Sequence, residues 1–247
     1  MAKTENGTTQ IVAYTDEIMA LATDKAAETL QAILMENLGG HASPFDFISI
    51  SVPAGGAVQW SMPTLEGTDD LVAEIRAVIL TTRSVRTYYA TAYDGGSAPP
   101  TCSSPDKITG YGEPGGDCLS CPMAQFDGSG SQPCSERKHV MLLTPDSLLP
   151  TFLNLPVTSG KILQRYSMIL GGKGLMTLGV VTGISLETTK NSGGITYAQA
   201  KFRCLGILND EQKVRAGAYA QALKSVMYAN EGGIRNVTPT PAVAAEA

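Results

Sequence analysis

The sequence predicts a β-rich α+β domain. Several segments alternate apolar and polar residues with period two, as strands do, while three segments repeat apolar residues at helical spacing. The length of 247 residues fits one large domain of this class. A hydrophobic fraction of 43% and a charged fraction of 17% are ordinary for a globular chain and argue against wholesale disorder.

The first third of the chain predicts one helix followed by strands. Apolar residues at helical spacing indicate a helix over about 16–37, which ends at a Gly-Gly pair. Residues 45–52 and 57–62 predict a hairpin around the turn Ala54-Gly-Gly. Residues 71–80 also fit a helix by periodicity. The β-branched content of that stretch and its continuation to Tyr93 favour a long strand or strand pair.

The second half predicts three strands and two helices around a turn-rich segment. We expect strands over 139–144, 175–188 and 195–208, with Asn191-Ser-Gly-Gly as the hairpin turn between the last two. We expect helices over about 159–170 and 210–229, and Asn209 caps the second of them. Residues 95–138 predict a long loop inserted in a single domain of residues 15–230. Residues 1–14 and 231–247 predict disordered tails.

Charge is distributed unevenly along the chain. The net charge is −5, yet residues 137–203 hold eight Lys or Arg against two acids, a local +6. This basic region indicates either a face that binds a polyanion or a solvated surface that balances the acidic N-terminal third. No apolar run approaches the length of a membrane span, and the first residues lack the apolar core of a secretory signal. We therefore expect a cytoplasmic protein with no membrane partner.

Four of the five cysteines lie within 33 residues, at the spacing C-x15-C-x2-C-x12-C. The two-residue gap between Cys118 and Cys121 lets both thiolates bind one tetrahedral ion, and Cys102 and Cys134 flank that pair. Four thiolates with no open position describe a structural zinc site, and thiol ligands favour zinc over magnesium or calcium. His139 is an alternative ligand because it follows Cys134 by five residues.

Three other interpretations of the cysteines remain open. They could be free thiols, could form two disulfides, or could use the CxxC pair for redox chemistry. The redox interpretation normally requires CxxC at the start of a helix near a βαβ unit, and the sequence does not predict one here. Cys204 alternates with apolar neighbours in a strand, which predicts a buried core thiol.

Residues 102–134, which we call the cysteine segment, also carry a resemblance to known proteins. The stretches APPTCSSPDK, GYGEPGGDCLSCPMAQF and CSERK, with LNLPVTS further on, resemble a group of uncharacterised phage and mobile-element proteins over about residues 70–208. That group is similar to phage single-stranded-DNA-binding proteins with a zinc loop. The resemblance implies an OB-like Greek-key barrel with an inserted four-cysteine zinc loop and flanking helices, which coats single-stranded DNA in replication or recombination. The C-terminus departs from this pattern: its last 16 residues hold one acid, which puts tail-mediated partner recruitment in doubt.

Non-specific binding of single strands needs cations for phosphates and aromatic faces for bases. The segment 81–93 interleaves both, and strand alternation puts Arg83 on the face of Tyr89 and Tyr93, with Arg86 and Tyr88 on the other. The candidate nucleic-acid-binding residues are Trp60, Arg83, Arg86, Tyr88, Tyr89, Tyr93, Lys107, Tyr111, Phe126, Arg137, Lys138, Lys161, Arg165, Lys173, Lys201 and Arg203. Aromatic residues in strands are usually packing residues, so the hypothesis rests on the cluster and not on any single side chain.

The sequence contains no catalytic motif that we recognise. There are two histidines, and neither a G-x-S-x-G, a Walker A nor an H-E-x-x-H pattern occurs. We therefore expect a non-enzyme whose partner is single-stranded DNA. Replication or recombination proteins and further copies of the chain are additional candidate partners. Two alternatives stay open: a zinc-containing protein-interaction module that uses Leu119, Met123 and Phe126, and a virion structural protein.

Overall fold

A computed structural model describes residues 48–64, 66–91, 100–128, 132–145, 147–191 and 193–229, together with residues 29, 32, 33, 36 and 37. The strands in chain order are β1 (Ser49–Ser51), β2 (Trp60–Pro63), β3 (Asp69–Val72), β4 (Glu74–Tyr88), β5 (Cys102–Ser104), β6 (Thr109–Gly112), β7 (Gly116–Asp117), β8 (Ser135–Leu143), β9 (Thr151–Pro156), β10 (Val180–Lys190) and β11 (Thr196–Ile207). The long helices are α1 (Val157–Gly171) and α2 (Asp210–Ala229).

Nine of the described strands form one sheet. Its hydrogen-bonded order runs β1-β9-β8-β4-β5-β6-β7, and β10 joins the other end of β4 with β11 beside it. Most pairs are antiparallel, while β1 runs parallel to β9. The strands β2 and β3 form a separate two-stranded sheet. The prediction of a strand-rich α+β fold is confirmed.

The long strand β4 holds the sheet together. It pairs with β8 along one edge, and with β10 and β5 at opposite ends of the other edge. Residues Ala77 to Leu80 are all buried because the sheet is covered on both faces. An uninterrupted apolar run of this kind is typical of a strand with two covered faces. The prediction of a long strand or strand pair in this region is therefore confirmed.

The two helices cover opposite faces of the sheet. Leu163, Tyr166 and Leu170 of α1 pack in the same apolar cluster as Ile79 of β4. Ala216, Tyr219, Ala220 and Leu223 of α2 pack in a second cluster with Val78 and Leu80. The alternation of β4 side chains between these clusters places α1 and α2 on different faces.

Several local predictions differ from the structure. Residues 57–62 do not pair with 45–52, since β2 pairs with β3, and β1 pairs with β9. The sequence predicts a loop over 95–138, yet this segment contains β5, β6 and β7 and the start of β8. The strand β9 is not predicted at all. One of its partners, β1, lies about a hundred residues away in the chain, and a short apolar run between Pro150 and Pro156 gives little local signal.

Other predictions are confirmed, remain open, or lie outside the described residues. The β10–β11 hairpin and both C-terminal helices are confirmed within a few residues. Residues 29, 32, 33, 36 and 37 are helical, as predicted, but most of the predicted helix over 16–37 and both predicted tails lie outside the described residues.

No pairing among the described strands closes the sheet into a barrel, so the OB-like topology stays a prediction. Within the same residues, neither helix combines the length and apolarity needed to cross a membrane.

Asn209 begins α2 with a reciprocal pair of hydrogen bonds. Its side-chain oxygen accepts from the Gln212 backbone N–H at 2.8 Å, and the Gln212 side chain accepts from the Asn209 N–H at 2.9 Å. This is the arrangement of a capping box. We expect Asn209→Ala to lower the free energy of unfolding by about 1 kcal/mol, measured by chemical denaturation. Asn209→Ser keeps an acceptor and should stay close to wild type; an Ala variant as stable as wild type would contradict the assignment.

Candidate nucleic-acid interface and cysteine cluster

A groove of about 510 Å³ opens between α1 and the sheet, next to the cysteine segment. We call it the basic groove. It is lined by Thr82, Ser84, Lys107, Glu136, Arg137, Lys138, Val157, Gly160, Lys161, Leu163, Gln164, Ser167 and Met168. Its floor comes from neighbouring residues of β4 and β8, since Ser84 pairs with Lys138. Its wall is the side of α1 that carries Val157, Lys161, Gln164 and Met168 at helical spacing.

The charges in the basic groove are mostly positive. Lys107, Arg137, Lys138 and Lys161 line it with one acid, Glu136. Lys107 donates to Glu136 at 2.7 Å. Among the described residues, the other three cations form no salt bridge. A concave surface with unpaired cations favours the binding of an anion.

Backbone packing brings the cations of α1 and β8 together. A Cβ at Gly160 would lie 3.5 Å from the Cβ of Lys138, an ordinary contact distance, so the first turn of α1 lies directly against the strand. Lys161 follows directly and is exposed, while the Lys138 stem is half-buried beneath the helix. Burial of the aliphatic stem leaves the ammonium group at the surface.

Lys107 reaches the basic groove from the cysteine segment. Its backbone has a φ of 66°, which is uncommon for a residue with a side chain. Asp106 holds this turn, because its Oδ1 accepts hydrogen bonds from the backbone N–H groups of Ile108 at 2.8 Å and Thr109 at 3.0 Å. The turn lies between β5 and β6, so the placement of Lys107 depends on the fold of the cysteine segment.

None of the predicted aromatic residues that the structure describes lines the basic groove. Tyr89 and Phe126 are exposed, Phe126 at 72% of its surface, while Tyr88 and Tyr111 are half-buried. Tyr93 lies outside the described residues. The accessible apolar surface inside the groove comes instead from Val157 and Met168.

Trp60 is a correction to the predicted set. The side chain is 0% exposed, and its Nε1 donates to the Ile184 carbonyl at 2.9 Å. A ring buried in the core cannot stack on a base at the surface. Trp60 lies between polar neighbours in the sequence, and this pattern does not indicate that β2 packs against the large sheet.

The remaining predicted cations lie away from the basic groove. Lys201 and Arg203 are on β11 and form ion pairs with Glu187 and Glu74. Arg165 and Lys173 are exposed but do not line the groove. Arg83 lies opposite His139, whose ring packs edge-on against Phe152. Burial, reinforced by the charges of Arg83 and Arg137, lowers the pKa of His139 to about 4.

The four clustered cysteines line one narrow cavity, which we call the cysteine pocket. Cys102, Cys118, Cys121 and Cys134 share it with Arg86, Tyr88 and Met123, and His139 is not among its lining residues. Backbone hydrogen bonds close the chain around it: Cys118 N–H donates to Ile108 at 2.8 Å, and Cys134 N–H donates to Met123 at 2.7 Å. The short strands β5, β6 and β7 thus bring together cysteines that are up to 32 residues apart in the sequence.

The pocket cysteines are free thiols, as is Cys204. Burial raises the pKa of Cys102, and the neighbouring Cys118 and Cys121 add to this effect. Burial also raises the pKa of Cys134, although the adjacent Arg86 opposes the shift through its charge and a hydrogen bond. Among the described residues, no group of three or more His, Cys, Asp or Glu side chains is arranged, as it stands, to hold a metal ion.

Cys204 is separate from the pocket. It is half-buried, packs against the core cluster that includes α1, and its thiol contacts the Gly206 carbonyl at 3.6 Å. Burial raises the pKa of this thiol as well. The predicted core role agrees with this packing, although the burial is partial.

Arg86 and Glu136 connect the cysteine pocket with the basic groove. Arg86 donates to the Ala124 carbonyl at 3.3 Å inside the pocket, and its other nitrogen lies 3.8 Å from Glu136. Glu136 in turn accepts from Lys107 in the groove. The sequence patterns assign Arg86 to DNA and overlook Glu136. The alternation of Glu136 with Lys138 along a strand could have placed both on one face.

Comparison of the chain with protein-family models, curated proteins and solved structures finds no match.

The single tryptophan gives a direct check of this site. Because Trp60 is buried and lies outside the basic groove, its fluorescence should be blue-shifted and should not be quenched by a single-stranded oligonucleotide. Titration of the native protein with unlabelled oligothymidine tests this. Unfolding in denaturant supplies the red-shifted reference. Strong quenching at saturating oligonucleotide would show that the ring stacks on bases.

Proposed function

We propose that the chain binds single-stranded DNA without sequence specificity, through the basic groove. The supporting observation is the convergence of Lys107, Arg137, Lys138 and Lys161 in one groove from three separate segments. These residues come from the turn after β5, from β8 and from α1. Cations that converge in space and mostly lack acidic partners favour a polyanion over a solvated, internally balanced surface.

The lining of the groove favours a single strand over a duplex. Val157 and Met168 supply apolar surface beside the cations. Unpaired bases expose faces that such surface can contact, whereas the bases of a duplex are stacked inside it. Hydroxyl and amide groups add hydrogen-bonding capacity, and they belong to Thr82, Ser84, Gln164 and Ser167. The exposed rings of Tyr89 and Phe126 are candidates for additional stacking outside the groove.

A structural zinc ion belongs to the same proposal. Four thiols that line one closed pocket are the ligand set of a structural zinc site. Binding of the ion would require the thiols to lose their protons. The ion would hold together the short strands that present Lys107.

The proposed role is binding rather than catalysis, in the cytoplasm of a host cell and in replication or recombination of phage or mobile-element DNA. This biological setting and the OB-like topology rest on the resemblance of residues 70–208 and remain predictions.

A labelled oligothymidine and fluorescence anisotropy test the groove. We expect tight binding that weakens as salt rises from about 50 to about 200 mM, and that exceeds binding to a duplex of equal length. Removing two charges with Lys138→Gln and Lys161→Gln should reduce the slope of log affinity against log salt by about 1.4, since each phosphate contact to a single strand contributes about 0.7. The same change in slope corresponds to binding that is roughly 60-fold weaker at about 50 mM salt.

The matched control removes two other lysines. Lys173 and Lys190 are exposed and lie outside the groove, so Lys173→Gln with Lys190→Gln removes the same charge. This control should retain most of the affinity and the wild-type salt slope. Equal losses of affinity in the two double variants would mean that binding depends on net charge and not on the groove. No binding by the wild-type protein at low salt would overturn the proposal.

Metal analysis of the purified protein tests the zinc ion. We expect one zinc per chain, and Cys118→Ser should lower zinc content and melting temperature together, because folding and metal binding are coupled in such sites. Cys204→Ser is the matched control and should keep its zinc. A Cys118→Ser variant with wild-type stability would remove the structural role of the ion.

A protein-interaction module is the second candidate function. Leu119 and Phe126 are 76% and 72% exposed on the cysteine segment, as residues of a contact surface would be. Met123 instead lines the cysteine pocket. Binding to a protein partner through Leu119 and Phe126 would depend little on salt, which separates it from DNA binding.

A further inference from the structure

Glu136 is the one acid among the described residues that line the basic groove, and it occupies the centre of a small charge network. It accepts from Lys107 at 2.7 Å and lies 3.8 Å from Arg86. Its side chain is 30% exposed, so it faces the groove and the protein interior at once. The geometry points to Glu136 as an internal competitor that occupies Lys107 until a phosphate replaces it. This inference rests on the proposed function and names a residue that sets its affinity.

The surroundings of Glu136 support competition with phosphate. The Glu136 carboxylate presents two acceptor oxygens to Lys107 and Arg86. Two oxygens of a phosphate group would present the same pair of acceptors. Lys107 is 35% exposed and is held on the groove side by the Asp106 turn, so its ammonium group is accessible to a ligand as well as to Glu136. The competition therefore involves no rearrangement of the backbone.

Arg86 explains why Glu136 remains in place when Lys107 changes partners. Its guanidinium is 16% exposed and is anchored to the Ala124 carbonyl and to Cys134. Removing the Glu136 charge leaves both of those contacts intact. The cysteine pocket should therefore survive a Glu136→Gln substitution, and the effect on binding can be separated from an effect on folding.

The expected result of Glu136→Gln is a gain in affinity. In the wild-type protein the displaced Glu136 carboxylate offsets the charge that Lys107 offers to phosphate. With that carboxylate neutralised, the salt slope should steepen by about 0.7, which corresponds to roughly eightfold tighter binding at about 50 mM salt. Lys107→Gln alone should weaken binding, because it removes the cation that the phosphate would contact and leaves the Glu136 charge without its lysine partner in the groove. The double variant Glu136→Gln with Lys107→Gln should not show the gain in affinity, since the cation that Glu136→Gln releases is then missing.

The control is Glu187→Gln, which removes an acid from a similar ion pair with Lys201 on the far hairpin. It changes net charge equally and should leave the salt slope unchanged. The experiment is anisotropy of labelled oligothymidine with all four variants, with melting temperatures measured in parallel. Unchanged or weaker binding by Glu136→Gln, or an equal gain in Glu187→Gln, would overturn the inference while leaving the proposed function standing. Absence of binding by wild type would overturn both.

Discussion

The pairing of β4 along both of its edges is the constraint on which the rest of the structure depends. Its first five residues pair with β10, the stretch from Val78 to Thr87 pairs with β8 on the other edge, and its last three residues pair with β5 of the cysteine segment. A single strand of 15 residues therefore belongs to the core and to the segment that carries the cysteines. Because strands are stiff over such lengths, the core fixes where the cysteine pocket and the groove lie relative to each other.

Local signals in the sequence predict the elements whose stabilisation is local. The β10–β11 hairpin has its Asn-x-Gly-Gly turn, and α2 has Asn209 and a helical apolar pattern. The strands β1 and β9 pair across about a hundred residues, and nothing in either segment identifies its partner. For the same reason, the predicted partner of β2, the nearest alternating segment, is wrong. Register between distant strands is decided by tertiary packing.

The candidate site is predictable to a similar extent. The cysteine spacing correctly groups four residues that line one pocket, because ligand spacing within a loop is a local property. The basic region correctly includes the groove cations Arg137, Lys138 and Lys161. It also includes Lys201 and Arg203, which form ion pairs with Glu187 of the adjacent β10 and with Glu74 of β4. The charge along a chain does not show which cations share a face of the folded protein. In the same way, the sequence does not show which aromatic rings are buried, as the tryptophan of β2 is.

The parallel pairing of β1 with β9 has a consequence for the order of folding. Asn154 bonds Ser49 across 105 residues, and the indole of Trp60 bonds Ile184 across 124. During synthesis the first strands therefore leave the ribosome long before their partners exist. Contacts this distant in sequence slow folding and leave apolar segments exposed meanwhile. The nascent chain of this protein thus spends much of its synthesis with an incomplete core.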